Sequence, residues 1–335
     1  MKTALVTGSA GFIGAHVSRR LLSEGWRVVG VDSFSEYYDP ALKRDRAKLL
    51  APYDGYTEVE DRIEQDGLLA ALFDAHRPEI VVHLAAQAGV RYSIEAPRSY
   101  VDANLVGTFE LLEAARAYPP RHVLMASTSS VYGANADMPY AENAKADHQM
   151  SFYAATKKAT EAMTHSYAHL YDLPVTMFRF FTVYGPWGRP DMALFLFVRA
   201  MLEGRPIDVF NHGRMKRDFT YIDDLVDAVV ALADVLPREN VGPFDSLSPV
   251  APFRIVNIGK SEPDTLADFI AAIEAALGIE AKRNLMEMQP GDVPATWSDT
   301  TLLRALVGKC PSTPLSEGVP AFVEWYKSYY GVTAR

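Results

Sequence analysis

The chain has 335 residues, 49% of them hydrophobic, which provides ample apolar surface for one large or two modest cores. The formal net charge of −9 argues against a nucleic-acid-binding surface. The sequence contains no run of about 18 apolar residues of the kind that spans a membrane. A single cysteine, Cys310, excludes an internal disulfide framework, and the N-terminus lacks a signal-peptide core, so we expect a cytoplasmic protein that acts on small molecules.

Short β-branched segments alternate with amphipathic segments through the first half of the chain. The predicted strands are Thr3–Thr7, Arg27–Val31, Thr57–Glu60, Ile80–Leu84, His122–Ala126 and Val175–Phe181. The predicted helices are Phe12–Ser23, Leu42–Leu50, Leu68–His76, Arg98–Ala117 and Ser151–Tyr171. This alternation is typical of a parallel sheet covered on both faces. We therefore predict an α/β fold with a doubly wound parallel Rossmann sheet, whose ligands lie at the carboxyl ends of the strands.

The alternation breaks down after about Thr182, where Pro and Gly become dense and the strands shorten. We predict a smaller C-terminal α/β domain there, which binds the substrate. The Rossmann domain is expected to comprise residues 1–181 with returning segments near 208–236 and 253–260. The substrate domain is expected to comprise residues 182–207, 237–252 and 261–335.

A glycine-rich turn follows the first predicted strand and opens the first helix. It contributes Gly8, Gly11, Phe12, Ile13 and Gly14 to the predicted site. Glycines with this GxxGxxG spacing allow a tight turn and a close approach to a pyrophosphate, which the helix N-terminus binds. Asp32 ends the second strand 18 positions after Gly14, where its carboxylate can accept both ribose hydroxyls and repels a 2′-phosphate. The turn therefore predicts NAD in preference to NADP.

Two further strand ends extend the predicted dinucleotide site. Small residues close the Ile80–Leu84 strand, as a strand beneath a cofactor requires; they belong to the run Leu84, Ala85, Ala86 and Gln87. Asp61 and Arg62 follow the Thr57–Glu60 strand and are predicted to bracket the adenine, although Asp61 alone is also typical of a solvated turn.

The fifth strand ends in four consecutive hydroxyl-bearing residues, the second of which is Thr128. Tyr153 follows 25 residues later, and Lys157 lies four residues beyond Tyr153, on the same face of a helix. A nearby ammonium group and the positive charge of oxidised nicotinamide lower the pKa of a phenol, ordinarily about 10. A phenolate can act as general base for a substrate hydroxyl, and Thr128 can hydrogen-bond the same oxygen. A Tyr–Lys pair alone is more typical of a snorkelling lysine beside a half-buried ring. In combination with the glycine turn, Asp32 and the hydroxyl-rich strand end, catalysis is favoured.

Together these motifs resemble the extended branch of the short-chain dehydrogenase/reductase superfamily, and within it the sugar-nucleotide epimerases and dehydratases. The resemblance runs from Thr7 to about Tyr330 and includes Asn104–Thr108, Arg179–Phe181, Tyr184–Pro186 and Arg217–Asp224. It implies that Thr128, Tyr153 and Lys157 are catalytic. It also implies that Asn104 and Phe180 adjoin the cofactor and that Arg217 grips the substrate pyrophosphate, a role suited to a bidentate guanidinium.

Two segments, Gln87–Ser93 and Tyr184–Ala193, are similar to those of UDP-glucuronate 4-epimerases. Galactose-type epimerases typically have Asn at the position of Thr182 and a phosphate-binding Arg near Gln289, so this sequence departs from their pattern. Arg91 and Arg189 would supply positive charge for a substrate with three or more negative charges, unless they are ordinary surface arginines.

The residue type at position 130 distinguishes the related enzyme activities. Oxidation of UDP-glucuronate at C4 creates a β-keto acid, which loses CO2 when its carboxylate bond stands perpendicular to the carbonyl plane. Related decarboxylases and many 4,6-dehydratases carry Glu at this position, whereas Ser129, Ser130 and Thr182 are neutral donors able to hold a carboxylate. We expect an epimerase that interconverts UDP-glucuronate and UDP-galacturonate. A decarboxylase, a dehydratase, an epimerase of UDP-glucose and UDP-galactose, and a non-catalytic NAD-sensing or scaffolding protein remain open.

The resemblance implies further contacts with the UDP-sugar. The backbone of Met192 and Ala193 is expected to hold the pyrophosphate, and Asp292 to contact the uridine ribose. Phe210 is expected either to sandwich the uracil or to lie in the core. A homodimer is expected through the helices Arg98–Ala117 and Ser151–Tyr171, and no metal site is expected.

Overall fold

The computed structural model describes residues 2–288 and 293–332 of the chain. The strands are β1 (Thr3–Thr7), β2 (Arg27–Asp32), β3 (Tyr56–Glu60), β4 (Ile80–His83), β5 (His122–Thr128), β6 (Val175–Phe180), β7 (Thr182–Tyr184), β8 (Ile207–Phe210), β9 (Lys216–Arg217), β10 (Phe219–Tyr221), β11 (Phe253–Ile258), β12 (Asp264–Thr265), β13 (Arg283–Met286) and β14 (Ala295–Thr296). The α-helices are α1 (Phe12–Ser23), α2 (Pro40–Lys48), α3 (Leu68–His76), α4 (Tyr92–Glu95), α5 (Pro97–Tyr100), α6 (Gly107–Ala117), α7 (Phe152–Tyr171), α8 (Ala193–Leu202), α9 (Ile222–Leu232), α10 (Leu266–Leu277), α11 (Thr301–Val307) and α12 (Leu315–Tyr330).

Seven parallel strands form one sheet in the order β11-β6-β5-β4-β1-β2-β3. Side chains alternate across β1, so Ala4 and Val6 pack into the core beneath α1 and α9, whereas Leu5 packs on the opposite face with α3 and α6. Both faces are covered, which explains why the strands are nearly continuous apolar runs. The predicted doubly wound α/β fold is confirmed.

The second region of the chain contains smaller sheets. β7 pairs with β10, β9 pairs with β12 and β14, and β8 pairs with β13. Helices α8, α10 and α12 enclose an aromatic core that contains Phe195, Phe269 and Phe322. β11 joins the large sheet beside β6, and α9 packs on α1, whereas the segment near residue 208 pairs with β13 outside that sheet. The division into two domains stays a prediction.

The predicted helix Arg98–Ala117 is interrupted. A π-helical segment, Val101–Val106, separates α5 from α6. Within it, Asn104 is buried and its amide bonds the backbone of Gln87, which follows β4. Such widened turns accompany functional sites in many helices, and here the turn supports the strand end that faces the cleft.

Arg46 of α2 is fully buried and joins two loops. Its guanidinium donates to the carbonyl oxygens of Trp187 and Gly188 at 2.7 and 3.1 Å, and to that of Ala10, in the glycine turn, at 3.3 Å. It also donates to the hydroxyl of Tyr38 at 2.8 Å. Among the described residues no carboxylate forms an ion pair with Arg46, so backbone carbonyls hold this cation in place. In the described ranges, no helix is both long and apolar enough to cross a membrane.

Candidate active site

The glycines shape the turn between β1 and α1. Gly8 has a φ of +73°, and a Cβ atom there would lie 2.8 Å from the backbone nitrogen of Ala85. A Cβ atom on Gly14 would lie 1.9 Å from the carbonyl oxygen of Gly8, so the turn and the helix touch at this point. Gly11 begins α1 without a side chain to cap it, which leaves the first N–H groups of the helix to a ligand. The turn therefore fits a pyrophosphate.

Asp32 is buried at the carboxyl end of β2. Its carboxylate accepts hydrogen bonds from the backbone of Ala10 and Phe34, at 3.1 and 2.8 Å. The ammonium nitrogen of Lys43 in α2 lies 2.9 Å from Oδ1 of Asp32, and this lysine was not predicted from the sequence. Lys43 partly compensates the negative charge of the carboxylate. A bound ribose could therefore donate a hydrogen bond to Asp32 and accept one from Lys43.

One cleft at the carboxyl ends of the strands brings most of the predicted residues together. Those that line it are Gly8, Gly11, Phe12, Ile13, Gly14, Asp32, Asp61, Arg62, Leu84, Ala85, Ala86, Gln87, Thr128, Tyr153, Lys157, Phe180, Arg189 and Met192. Asn104 supports the lining from behind, because its side chain accepts from the Gln87 nitrogen at 2.8 Å and donates to the Gln87 oxygen at 3.1 Å. The lining thus combines a glycine cradle, an acidic strand end and small residues, and these fit NAD.

Thr128 at the end of β5 and Tyr153 and Lys157 on α7 meet at the floor of this cleft. Burial raises the pKa of the Tyr153 phenol, and a hydrogen bond from Thr128 and the positive charge of Arg189 act in the opposite direction. Burial lowers the pKa of Lys157 to about 8, against the influence of Glu161. The protein alone thus leaves the phenol above its ordinary pKa. The positive charge of the oxidised cofactor stays the predicted cause of a lower value.

A buried ion pair lies directly below these groups. Glu161, one helical turn beyond Lys157, accepts from Nε and Nη2 of Arg179 at 2.9 and 2.8 Å and from the hydroxyl of Ser127 at 2.7 Å. Burial alone would raise the pKa of Glu161, but Arg179 holds it below its usual value. The ionised pair anchors α7 to β5 and β6, and thereby sets the positions of Thr128 and Lys157. Arg179 belongs to one of the motifs that carry the family resemblance, whereas Glu161 was not predicted, although its spacing of four residues from Lys157 is a usable signal.

The predicted sugar-binding residues are less uniformly placed. Arg189 and Met192 line the cleft. Ser129 and Ser130 begin the short 3-10 turn after β5, and Thr182 begins β7; all three are half-buried but lie outside the described lining of the cleft. The Ser130 nitrogen donates to the Thr128 hydroxyl at 3.2 Å, which holds this hydroxyl-rich turn against the strand end.

The remaining predicted contacts lie at the periphery. The guanidinium of Arg91 stacks on the ring of Phe210 at 4.8 Å, so one face of that ring is already covered. Arg217 on β9 donates to the carbonyl of Val293 at 2.7 Å. Ala193 begins α8, and neither Arg217 nor Ala193 belongs to the described lining of the cleft. Asp292 lies outside the described residues.

Several lining residues were not predicted. They are Val31, Ser33, Ser35, Tyr37, Tyr38, Lys43, Ile63, Glu64, Ala88, Ser99, Ala103, Ala126, Ser127, Phe181 and Val183. Most of them neighbour predicted positions, whereas Tyr37, Tyr38 and Lys43 come from a segment that was not assigned to the site from the sequence. Among the described residues no group of three or more His, Cys, Asp or Glu could hold a metal ion.

The fold and the cleft define an enzyme of the dinucleotide-dependent Rossmann class. A family model described as the NAD dependent epimerase/dehydratase family matches residues 4–242. The chain belongs to this family.

Relatives agree with that assignment. The protein of Rhizobium meliloti (strain 1021) named "Probable UDP-glucuronate 4-epimerase" is 54% identical over 331 residues, 97% of each chain. UDP-glucuronate 4-epimerase 1 of Arabidopsis thaliana is 46% identical over 338 residues, which cover 99% of this chain and 78% of the relative. The crystal structure of the UDP-glucuronic acid 4-epimerase of Bacillus cereus with UDP-glucuronic acid and NAD matches with a TM-score of 0.89 at 33% identity, covering 98% of this chain and 100% of the other.

Proposed function

We propose that the chain interconverts UDP-glucuronate and UDP-galacturonate through a 4-keto intermediate, with NAD retained through the cycle. The single observation that carries this proposal is Arg189, a cation that lines the same cleft as Tyr153 and lies close enough to lower the pKa of its phenol. A guanidinium beside the reacting carbon suits a sugar that bears a carboxylate. The relatives named above point to the same reaction.

Each proposed catalytic residue has one task. Tyr153 takes the proton from the 4-hydroxyl of the sugar and returns it after the ring has turned. Thr128 hydrogen-bonds the same oxygen, and Lys157 keeps positive charge beside the phenol. NAD, when bound, accepts and returns the hydride at C4; the glycine turn, Asp32 and the Leu84–Gln87 segment would hold it.

The sugar-binding residues have to retain the carboxylate while the ring turns. Arg189, with the hydroxyls of Ser129, Ser130 and Thr182, is proposed to hold it, since a carboxylate accepts up to four hydrogen bonds. Arg217 and the backbone at Met192 and Ala193 are proposed to retain the pyrophosphate. Phe210 is proposed to stack on the uracil with the face of its ring that Arg91 does not cover, and Arg91 is proposed to add positive charge for the nucleotide.

Product analysis tests the proposal. Purified protein supplied with NAD and UDP-glucuronate should form UDP-galacturonate, and the reverse reaction should proceed, with neither net NADH nor CO2. UDP-glucose and UDP-xylose complete the panel. Stoichiometric CO2 release would establish a decarboxylase instead, and conversion of UDP-glucose with no turnover of UDP-glucuronate would establish a galactose-type epimerase.

We also propose a cytoplasmic homodimer, with the chain divided into the two domains predicted from the sequence. Apolar side chains on α6 and α7 remain exposed, among them Phe109 at 45% and Phe152 at 41%. On α7 the exposed Phe152 is followed at helical spacing by exposed Ala155 and Ala162. Contiguous apolar surface of this kind is typical of a subunit interface. Sedimentation as a monomer at micromolar concentration would contradict the dimer.

A further inference from the structure

Three side chains form the Tyr37–Asp191–Arg189 cluster, and two of them, Tyr37 and Arg189, line the cleft. Nε of Arg189 donates to Oδ1 of Asp191 at 3.0 Å, and Nη2 donates to Oδ2 at 2.5 Å. The hydroxyl of Tyr37 donates to Oδ2 of Asp191 at 3.0 Å. Arg189 and Asp191 are 23% and 29% exposed, so the bidentate pair is largely removed from solvent.

The cluster joins three loops of the cleft. Tyr37 belongs to the loop after β2, and Asp191 to the turn closed by the 3.2 Å hydrogen bond from the Met192 nitrogen to the Arg189 oxygen. The third loop follows β4: a Cβ atom on Gly89, whose φ is +105°, would lie 2.6 Å from the Tyr37 hydroxyl. Only glycine permits this approach, so the backbone near Gly89 is shaped to receive Tyr37.

The pair leaves part of the guanidinium for a ligand. A guanidinium has five N–H donors, and Asp191 uses the edge formed by Nε and Nη2. Burial would raise the pKa of Asp191, but the charge of Arg189 and the bonds from Arg189 and Tyr37 hold it below its ordinary value, so Asp191 stays ionised at neutral pH. A long arginine side chain is thereby fixed in a single orientation.

We propose that Asp191, held in turn by Tyr37, is a positioning residue that fixes the guanidinium of Arg189 against the sugar carboxylate and so selects a uronate over an uncharged sugar. This inference rests on the proposed function. It also assigns Asp191 a part in suppressing CO2 loss. In that loss the C5–C6 bond of the 4-keto sugar breaks, its electron pair forms the enolate of the ketone, CO2 leaves, and the enolate later takes up a proton at C5. A carboxylate held by a fixed Arg189 keeps the C5–C6 bond away from the perpendicular geometry that this step requires.

The test compares Asp191→Asn with Asp172→Asn. Both substitutions keep the side-chain shape, and Asp172 forms an exposed bidentate pair with Arg238, at 3.2 and 3.0 Å. Asp191→Asn should weaken binding of UDP-glucuronate to the NAD-loaded protein roughly tenfold and that of UDP-glucose by no more than about twofold. A measurable fraction of its turnovers should release CO2. Asp172→Asn should behave like the parent protein in each assay.

Tyr37→Phe provides a second, milder variant, because it removes only the hydroxyl that holds Asp191. It should shift the ratio of the two dissociation constants in the same direction by about threefold. Equal losses for both nucleotides without CO2 would indicate a merely structural role and overturn the inference. Tighter binding of UDP-glucuronate by Asp191→Asn, or unchanged binding, would overturn it as well. A parent protein that fails to epimerise UDP-glucuronate would instead refute the proposed function, before any variant is compared.

Discussion

The proposed cofactor side of the cleft, around the glycine turn, and the proposed sugar side, around Arg189, are built differently. On the cofactor side, the backbone determines the site: Gly8 and Gly14 touch neighbouring backbone atoms so closely that no side chain fits. On the sugar side, side chains from irregular loops determine it, as in the cluster formed by Tyr37, Asp191 and Arg189. A backbone site requires particular residues at a fixed local spacing, whereas a side-chain site depends on partners far apart in the sequence.

This difference predicts how the two sides respond to substitution. Changes to the backbone site should lower protein stability and NAD binding together, because the same contacts serve both. Changes to the side-chain site should alter turnover or substrate choice in a protein that remains folded. The following substitutions test that distinction, in order of decreasing effect.

Gly14→Ala should have the largest effect. The added methyl group would overlap the Gly8 carbonyl, at 1.9 Å, and no flexible side chain can yield. We expect a loss of about 5 kcal/mol in the free energy of unfolding and no retained NAD. Gly278 is the control, because its φ is +69° but a Cβ atom there would have no neighbour within 4 Å. Gly278→Ala should lower the free energy of unfolding in urea by only about 1 kcal/mol. Similar losses for the two variants would show that backbone overlap does not define the turn.

Tyr153→Phe should abolish turnover while the protein stays folded. Loss of a general base costs on the order of 10³-fold in kcat. Tyr167→Phe is the matched control, since it removes a hydroxyl from the same helix that bonds Glu113 at 2.6 Å, outside the cleft. NAD content and melting temperature should be unchanged in both variants. Residual turnover of Tyr153→Phe near the parent rate would exclude Tyr153 as the base.

Glu161→Gln should lower stability and activity together, because the pair with Arg179 supports both sides of the cleft. Removing one charge of a buried pair costs about 3 kcal/mol. Glu203→Gln, which interrupts an exposed pair with Arg205, should change the unfolding free energy by less than about 0.5 kcal/mol. If the two variants are equally stable, the buried pair is not the anchor of α7 that its contacts indicate.

Glu142→Gln should have the smallest and most pH-dependent effect. Burial raises the pKa of Glu142 to about 7, and its Oε1 accepts from the nitrogen of Asn257 at 2.8 Å. The folded protein therefore keeps a proton that the unfolded chain releases near pH 4.5. Stability should thus fall as pH rises from about 4.5 to 7, by about 2.5 kcal/mol.

Denaturant unfolding at several pH values measures this effect. The glutamine variant keeps an acceptor for Asn257 but cannot ionise, so its stability should decline less over that interval. Subtracting the two curves removes contributions from the buried histidines, which both proteins share. Parallel curves would show that Glu142 does not titrate in the folded protein within this range.

The sheet and the cofactor side could be predicted from local patterns. β1, α1 and α3 begin and end at the predicted residues, because alternating apolar segments and a glycine turn specify them without distant partners. Lys43 could not be found in this way. Nothing in its helix distinguishes it from a surface lysine until the fold brings it to Asp32, 11 residues away in the chain.

The sugar side shows where local patterns stop being informative. Arg189 was proposed from resemblance. Its partner Asp191 accepts a hydrogen bond from Tyr37, which lies more than 150 residues away in the chain, a contact that no periodicity encodes. Phe210 and Arg91 were assigned separate roles, yet they contact each other. The predicted single helix before Ala117 contains a π-helical segment, because Asn104 bonds a strand end that only the tertiary fold supplies.

Arg46 limits which loops of the cleft can move when ligands bind and dissociate. Its buried guanidinium donates hydrogen bonds to the glycine turn and to the Trp187–Gly188 backbone. Moving either loop away would therefore leave a buried cation without some of its hydrogen-bond acceptors, which is costly. We expect these two loops to stay together while sugar nucleotides bind and dissociate. Arg91 is exposed where it stacks on the ring of Phe210, so we expect sugar nucleotides to enter and leave on that side. Separate routes for the two ligands would let one NAD molecule serve many turnovers.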